Sequence, residues 1–327
     1  MPCSLHVIIS FMGCIVAVDV GGTQLRSAVY PRSGITPLTI QHSASRGLET
    51  GILERLTALI DNVWPDEPVD AIAVAVPGPL NPRTGIIIST PNIPAWTQYP
   101  LAELLAKKYH VPVYLGNDAN LAALGEWKYG AGQGHHDIVY MTISTGIGGG
   151  VISNNMLIEG WNGMASELGH ITVSPGGPEC SCGVPGHLEA VASGPAIAKY
   201  VRAQIASGRQ SGLSSKEEYN ARDIHDAARK GDELAREAFT RAGNFIGQAM
   251  AGFLHMYNPS ILIFGGGVSQ SGSLILEPIK ESISMNIMNK AYLDGLEISI
   301  AKLGDEAGLL GARAYAHVRI GISENIH

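Results

Sequence analysis

The chain has 327 residues, 45% of them hydrophobic and 16% charged, with a formal net charge of −7. That length suffices for two ordinary domains, each with its own core. An acidic balance without a Lys/Arg run argues against a nucleic-acid partner or an anionic membrane surface.

In chain order, the stretch 5–20 is the one candidate targeting segment. It lacks a basic start, is too short and too mixed for a membrane span, and runs into a strand pattern. A cytoplasmic protein with no membrane partner is expected, with Met12 as an alternative start that would leave residues 1–11 as an extension. The first core strand is predicted at 15–20, ending in Gly21-Gly22-Thr23. Glycines there would let a phosphate approach the backbone N–H groups, Thr23 adds a hydroxyl, and Asp19 could hold Mg²⁺ through water. By itself this motif reads more simply as a glycine-stabilised turn with a capping Asp. Gly34, Pro31 and Pro37 mark turns among the early strands.

A helix is predicted over 53–63, a strand at 71–76 ending in Pro77-Gly78-Pro79, a helix over 101–109 and a strand at 111–115. Gly116-Asn117-Asp118-Ala119-Asn120 then closes that strand and leads into a helix over 121–127. A carboxylate at such a place can face a cleft and take the proton of an attacking hydroxyl. It can equally be an ordinary helix N-cap. The residues of this segment leave both readings of Asp118 open.

A strand at 138–143 precedes the second glycine-rich turn, Ser144-Thr145-Gly146-Ile147-Gly148-Gly149-Gly150. The longest helix is predicted over 232–257, stopped by Asn258-Pro259. A strand at 261–264 leads to the third turn, Gly265-Gly266-Gly267, just before a helix, where the dipole favours an anion. Two βα-type modules, each bringing one glycine-rich turn to a shared cleft, would account for this spacing. Neither Gly-x-Gly-x-x-Gly nor the P-loop pattern is present, so the dinucleotide and P-loop readings fail on residues. Apolar strands that stop at glycine-rich turns indicate an α/β protein with ligands at strand ends. Low-complexity tracts and short repeats are absent from the sequence.

His170, Cys180, Cys182 and His187 are separated by nine, one and four residues. Two thiolates and two imidazoles form a suitable tetrahedral set for a structural Zn²⁺, inside a loop whose Gly and Pro residues hold little shape. The plain alternative is a flexible loop with two reduced cysteines. Only Cys3 and Cys14 remain besides, which suits a reducing compartment rather than a disulfide framework. Glu167, His170, Glu189, Asn92 and Asn117 add the kind of polar groups that hydrogen-bond sugar hydroxyls.

Three glycine-rich turns after three strands resemble the phosphate and adenosine motifs of the actin-like ATPase superfamily. The ordered set from Asp19-Val20-Gly21-Gly22-Thr23 through Gly116-Asn117-Asp118, Glu167-Leu168-Gly169-His170 and Cys180-Ser181-Cys182-Gly183 to Gly265-Gly266-Gly267 resembles the ROK family of repressors, open reading frames and sugar kinases. The resemblance implies an actin-like α/β fold of two domains around a cleft, 12–117 completed by a C-terminal helix over 308–325, and 118–307 carrying the zinc loop. It implies transfer of the γ-phosphoryl group of Mg-ATP to a hexose 6-hydroxyl. Glucose is the first choice, before fructose, mannose and N-acetylhexosamines such as N-acetylmannosamine.

Carried over by position, Asp118 is the base, and Gly78, Asn92, Asn117, Glu167, His170 and Glu189 contact the sugar. Asp19, Gly21, Gly22, Thr23, Thr145, Gly146, Gly148, Gly149, Gly265, Gly266 and Gly267 serve Mg-ATP, while His170, Cys180, Cys182 and His187 hold Zn²⁺. Two positions depart from the family: His187 stands where a third cysteine is usual, and Gln24 where Lys or Asn is frequent. The repressor branch carries a winged-helix segment before the first motif, whereas 18 largely apolar residues precede Asp19 here. A non-catalytic sugar-responsive regulator is the rival from another class. The resemblance also implies a homodimer or homotetramer.

Overall fold

The computed structural model describes residues 13–21, 24–44, 51–90, 93–216 and 218–321. It divides into two compact units: the chain up to Leu121 together with the segment from Gly308, and Ala122–Ala307.

The first unit opens with β1 (Cys14–Val20), β2 (Gln24–Tyr30) and β3 (Thr39–Ala44), followed by α1 (Ile52–Asp61) and β4 (Val69–Val76). A small hairpin of β5 (Leu80–Asn81) and β6 (Ile86–Ile87), then α2 (Leu101–Tyr109) and β7 (Val113–Asn117), lead to α3 (Asp118–Tyr129), which carries the chain across the division. The main sheet has the order β3-β2-β1-β4-β7, antiparallel through β3-β2-β1 and parallel through β1-β4-β7. β1 is buried along its whole length, as its apolar run from Cys14 to Val18 requires, whereas edge strand β3 is almost wholly exposed and largely polar. The core combines β1 and β4 side chains with Leu56 and Ile60 of α1, Leu101 and Leu105 of α2, and Trp96.

The second unit contains β8 (Ile138–Ile143), β9 (Ile147–Ser153), β10 (Met156–Leu157), α4 (Leu188–Ala192), α5 (Gly194–Ala206), α6 (Ala221–Arg229) and α7 (Glu233–Tyr257). It continues with β11 (Ile261–Gly265), α8 (Gly266–Ser269), α9 (Ser273–Asn286) and β12 (Glu297–Ile300), before α10 (Ala307–Arg319) returns the chain to the first unit. Its sheet, β10-β9-β8-β11-β12, repeats the pattern of the first: two antiparallel pairings, then two parallel ones. α7, about 37 Å long at 1.5 Å per residue, packs on α9. Gly243 and Gly247 permit the approach, since a Cβ at Gly243 would lie 2.7 Å from Cβ of Pro278.

Several expected limits shift for identifiable reasons. α2 occupies 101–109 as predicted, while α1 begins one residue early and ends at Asp61. β7 starts at Val113 rather than 111, because Pro112 has no N–H and lends only its carbonyl, to Ile72 N–H. It then runs on to Asn117, and α3 begins at Asp118 without an intervening turn. The first two glycine-rich turns close β-hairpins rather than strand-to-helix units. Gly148 and Gly149 therefore lie within β9, paired with Thr142 and Met141. The absent side chain at Gly149 makes room for Leu168, which packs against it.

Candidate active site

In the first unit, parallel strands β1, β4 and β7 bring Asp19, the Pro77-Gly78-Pro79 turn and Asn117-Asp118 to their C-terminal ends. Asn117 caps α3: its Oδ1 accepts from Ala119 N–H at 3.0 Å and Asn120 N–H at 3.1 Å. Its Nδ2 donates to the Gly78 carbonyl at 3.4 Å, across a turn where Gly78 has φ 89°. Asp118 is thus the first helical residue and not the cap, although its Oδ1 also accepts from Ala119 N–H at 2.8 Å. The half-buried carboxylate of Asp118 is therefore oriented by its own helix end while Asn117 does the capping.

Asp19 is buried, ion-paired with Arg26 of β2, and close to the start of α10: a Cβ on Gly308 would fall 2.6 Å from its Oδ2. Arg26 was not singled out by sequence; the alternation of β2 opposite Asp19 is the signal that places it there. Gly21 N–H donates to the Gln24 carbonyl at 2.8 Å and closes the first hairpin. Gly22, Thr23 and Asn92 lie outside the described residues.

In the second unit, His170, Cys180, Cys182 and His187 converge, with one potential ligand atom from each lying within 4.8 Å of the others. Sγ of Cys180 is 3.7 Å from Nδ1 of His170, and Sγ of Cys182 is 3.2 Å from Nδ1 of His187. A tetrahedral Zn²⁺ with its usual bond lengths needs donor–donor edges of about 3.3–3.8 Å; these two separations lie close to that range, and two thiolates with two imidazoles are a donor set that the metal takes. The loop is preshaped by backbone bonds, Cys180 N–H to the Val184 carbonyl at 3.1 Å and Gly186 N–H to the Pro178 carbonyl at 2.8 Å. Gly183 and Gly186 take φ of 87° and 80°, the left-handed region in which glycine is favoured. Burial pushes the Cys180 thiol above its ordinary value.

Glu189 lies in the first turn of the short helix α4 beside this loop. Its Oε1 accepts from the Ser181 hydroxyl at 2.8 Å and its Oε2 from Ile147 N–H at 2.9 Å. Although Glu167 is solvent-accessible as a residue, desolvation of its carboxyl raises its pKa, with His170 opposing and neighbouring Glu189 adding to the rise. These three groups form one polar cluster on the second unit. His170 turns Nδ1 toward Cys180, so Nε2 lies on the other side of the ring and is available for a different partner.

A cavity of about 740 Å³ opens beside the second and third glycine-rich turns. Ser144 and Thr145 form one wall, Gly267 and Val268 with Gln270 and Ser271 another, and α5 and α6 with the residues leading into α6 the rest. Its volume suits a nucleotide-sized ligand. Gly266, at φ 81°, turns the chain from β11 into α8 against the Ile143 backbone, where a Cβ would collide. Reading the sequence missed the wall made by α6 with its cap Asn220 and His225, and the pair of Arg202 on α5 with Tyr219, whose cation–π separation is 5.6 Å. The capping box of Asn220 with Asp223 was the signal that could have revealed α6.

The ROK family model matches residues 15–319. The chain belongs to the ROK family. It is 36% identical over 313 residues to a glucokinase of Thermotoga maritima, covering 94% of this chain and 98% of that one. A ROK glucokinase of Streptomyces griseus, solved with glucose and AMPPNP, matches with a TM-score of 0.80 at 33% identity, over 94% of this chain and all of that one. A ROK transcriptional regulator described as a homologue of E. coli MLC matches with a TM-score of 0.84 at 27% identity, over 93% of this chain and 78% of that one. The fold of this ROK chain is the actin-like ATPase fold, consistent with two sheets that repeat one strand pattern. No helix of the described residues is long and apolar enough to cross a membrane.

Proposed function

We propose that this ROK protein is an ATP-dependent hexose kinase that transfers the γ-phosphoryl group of Mg-ATP to the 6-hydroxyl of a hexose, glucose first. Fructose, mannose and N-acetylmannosamine are the other acceptors of the same chemistry. The observation that carries the reading is the division of labour at the start of α3: Asn117 caps the helix, so Asp118 is not consumed as the cap. Asp118 accepts the proton of the attacking hydroxyl as the new O–P bond forms and the bond to the leaving ADP breaks. The S. griseus glucokinase, solved with glucose and AMPPNP, supports the same pair of ligands here.

Gly78, Asn92, Asn117, Glu167, His170 and Glu189 are the sugar-binding groups in this reading. Thr145, Gly146 and Gly265 to Gly267 serve the nucleotide beside the 740 Å³ cavity, and Asp19 with Gly21, Gly22 and Thr23 serves the phosphates and Mg²⁺. Gly148 and Gly149 contribute by letting β9 pack closely rather than by lining a loop. His170, Cys180, Cys182 and His187 would hold a structural Zn²⁺, which fixes the loop beside Glu189 and takes no part in phosphoryl transfer. The domain limits 12–117 with 308–325, and 118–307, a cytoplasmic location and a homodimeric or homotetrameric state complete the reading.

The test is ADP release over a panel of hexoses and amino sugars with Mg-ATP, for wild type and Asp118→Asn. Turnover should fall by roughly 10²–10⁴ in the variant while sugar affinity stays within a few-fold. Near-normal turnover in the variant would remove Asp118 as base. The likeness to the MLC-type regulator supports a second reading, a sugar-responsive regulator. Sugar binding by wild type without ADP release on any hexose would favour it.

A further inference from the structure

The Glu189 carboxylate joins two parts of the second unit that lie far apart in sequence. Oε2 accepts from Ile147 N–H at 2.9 Å, at the first residue of β9 and directly after the Thr145-Gly146 turn. That close seat depends on residue 146 lacking a side chain, since a Cβ there would stand 2.6 Å from Oε2. Oε1 accepts from the Ser181 hydroxyl at 2.8 Å, and the Cys180 thiol lies 3.6 Å from the same oxygen. A thiol is a weak donor, so Ser181 is the strong partner of Oε1. Ser181 sits between the two cysteines, at the tip of the loop that the Cys180 and Gly186 backbone bonds shape.

A carboxylate tied at one oxygen only can still rotate about its terminal bond, a soft torsion with broad minima. Tied at both oxygens by donors from opposite sides, it has one orientation, and its remaining lone pairs point in fixed directions. We infer that Ser181 is a positioning residue that locks the Glu189 carboxylate against the Ile147 N–H and so sets the direction from which a substrate hydroxyl can donate to it. The cysteine–histidine loop then influences sugar affinity through one hydroxyl, in addition to holding its own shape. This inference rests on the reading of Glu189 as a sugar contact.

The experiment uses full-length Ser181→Ala and Ser181→Thr. Glucose binding is measured by calorimetry without nucleotide, glucose KM and kcat by ADP release, and zinc content and Tm alongside. Without that bond the Glu189 carboxylate must be ordered when the sugar binds, which should weaken glucose binding by up to roughly tenfold in Ser181→Ala. The KM for glucose should rise in step, with kcat, metal content and Tm close to wild type. Ser181→Thr retains a hydroxyl and should recover most of the affinity.

The set of monodeoxyglucoses adds a discriminating readout. For the analogue lacking the hydroxyl that donates to Glu189, the penalty of Ser181→Ala should vanish. Equal glucose affinity in wild type and Ser181→Ala would overturn the inference and leave the kinase reading standing. So would a loss accompanied by lower metal content and Tm in both variants, which would mean that Ser181 only supports the loop. A wild-type chain that binds no hexose would remove the underlying reading and this inference with it.

Discussion

Glu126 offers a demanding test of how the second unit is held together. Its side chain lies in α3 and is fully buried, with no accessible surface. Oε2 accepts from Ala131 N–H at 2.8 Å and Lys302 N–H at 3.1 Å, and Oε1 from Leu303 N–H at 2.7 Å. One carboxylate therefore satisfies the turn that ends α3 and the segment that follows β12, two places where the backbone would otherwise bury unpaired N–H groups. Glu126→Gln converts one oxygen into an amide donor. In its better orientation the amide keeps the two bonds at the Oε2 position and sets its NH₂ against the Leu303 N–H. Losing a charge-assisted bond and leaving a buried donor unpaired should together cost about 2–4 kcal/mol. Glu126→Ala removes all three acceptors and leaves a cavity, so its cost should exceed that of Gln, at roughly 4 kcal/mol or more. Gly130→Ala attacks the same arrangement from outside, because a Cβ there runs into the Glu126 carboxylate. Urea unfolding followed by tryptophan fluorescence checks the series, since neighbouring Trp127, whose Nε1 donates to the His135 carbonyl at 2.7 Å, reports this region. A Glu126→Gln midpoint corresponding to less than about 1 kcal/mol of loss would refute the idea that these three bonds are individually important.

The metal loop makes a second prediction: protein purified after growth with zinc should carry about one Zn²⁺ per chain. Stripping it with a strong chelator, or making Cys182→Ser, should lower Tm and open the 180–187 segment to proteolysis. Trace metal content together with an unchanged Tm after chelation would leave the cluster as reduced cysteines beside histidines. A third prediction concerns acid stability. Burial raises the Asp232 carboxyl pKa, but hydrogen bonds from Ala235 N–H, the Ser211 hydroxyl and Gly212 N–H outweigh it, and the net shift is downward. A carboxyl depressed on folding stabilises the fold above its unfolded value of about 3.9 and loses that contribution as pH falls through the lower folded value. Asp232→Asn keeps a competent cap for α7 without the charge, so it should flatten the decline of stability between about pH 5 and 3, by something on the order of 1 kcal/mol. Identical acid slopes for the two proteins would show that Asp232 does not contribute to it.

The sequence by itself was informative wherever the signal is local. Apolar runs that stop at glycine located the strands that end beside the site, and helical spacing located α2 and α7, the latter ended by Asn258 in a left-handed conformation before Pro259. The spacing of His170, Cys180, Cys182 and His187 pointed to a four-donor cluster, because ligand types on a short loop are constrained to meet. The tertiary structure decided what depends on partners distant in the chain. Whether a glycine-rich turn joins two antiparallel strands or a strand and a helix is set by which strand pairs with which, so the hairpins at Gly21 and Gly146 were not visible locally. Asn117 and Asp118 are both competent caps by residue type, and only the run of β7 past Leu115 put Asn117 at the cap. The ties from Glu189 to Ile147 and from Glu126 to Leu303 span 42 and 177 positions. A carboxylate's partners at such separations follow from how the elements pack, and no periodicity in the sequence records them.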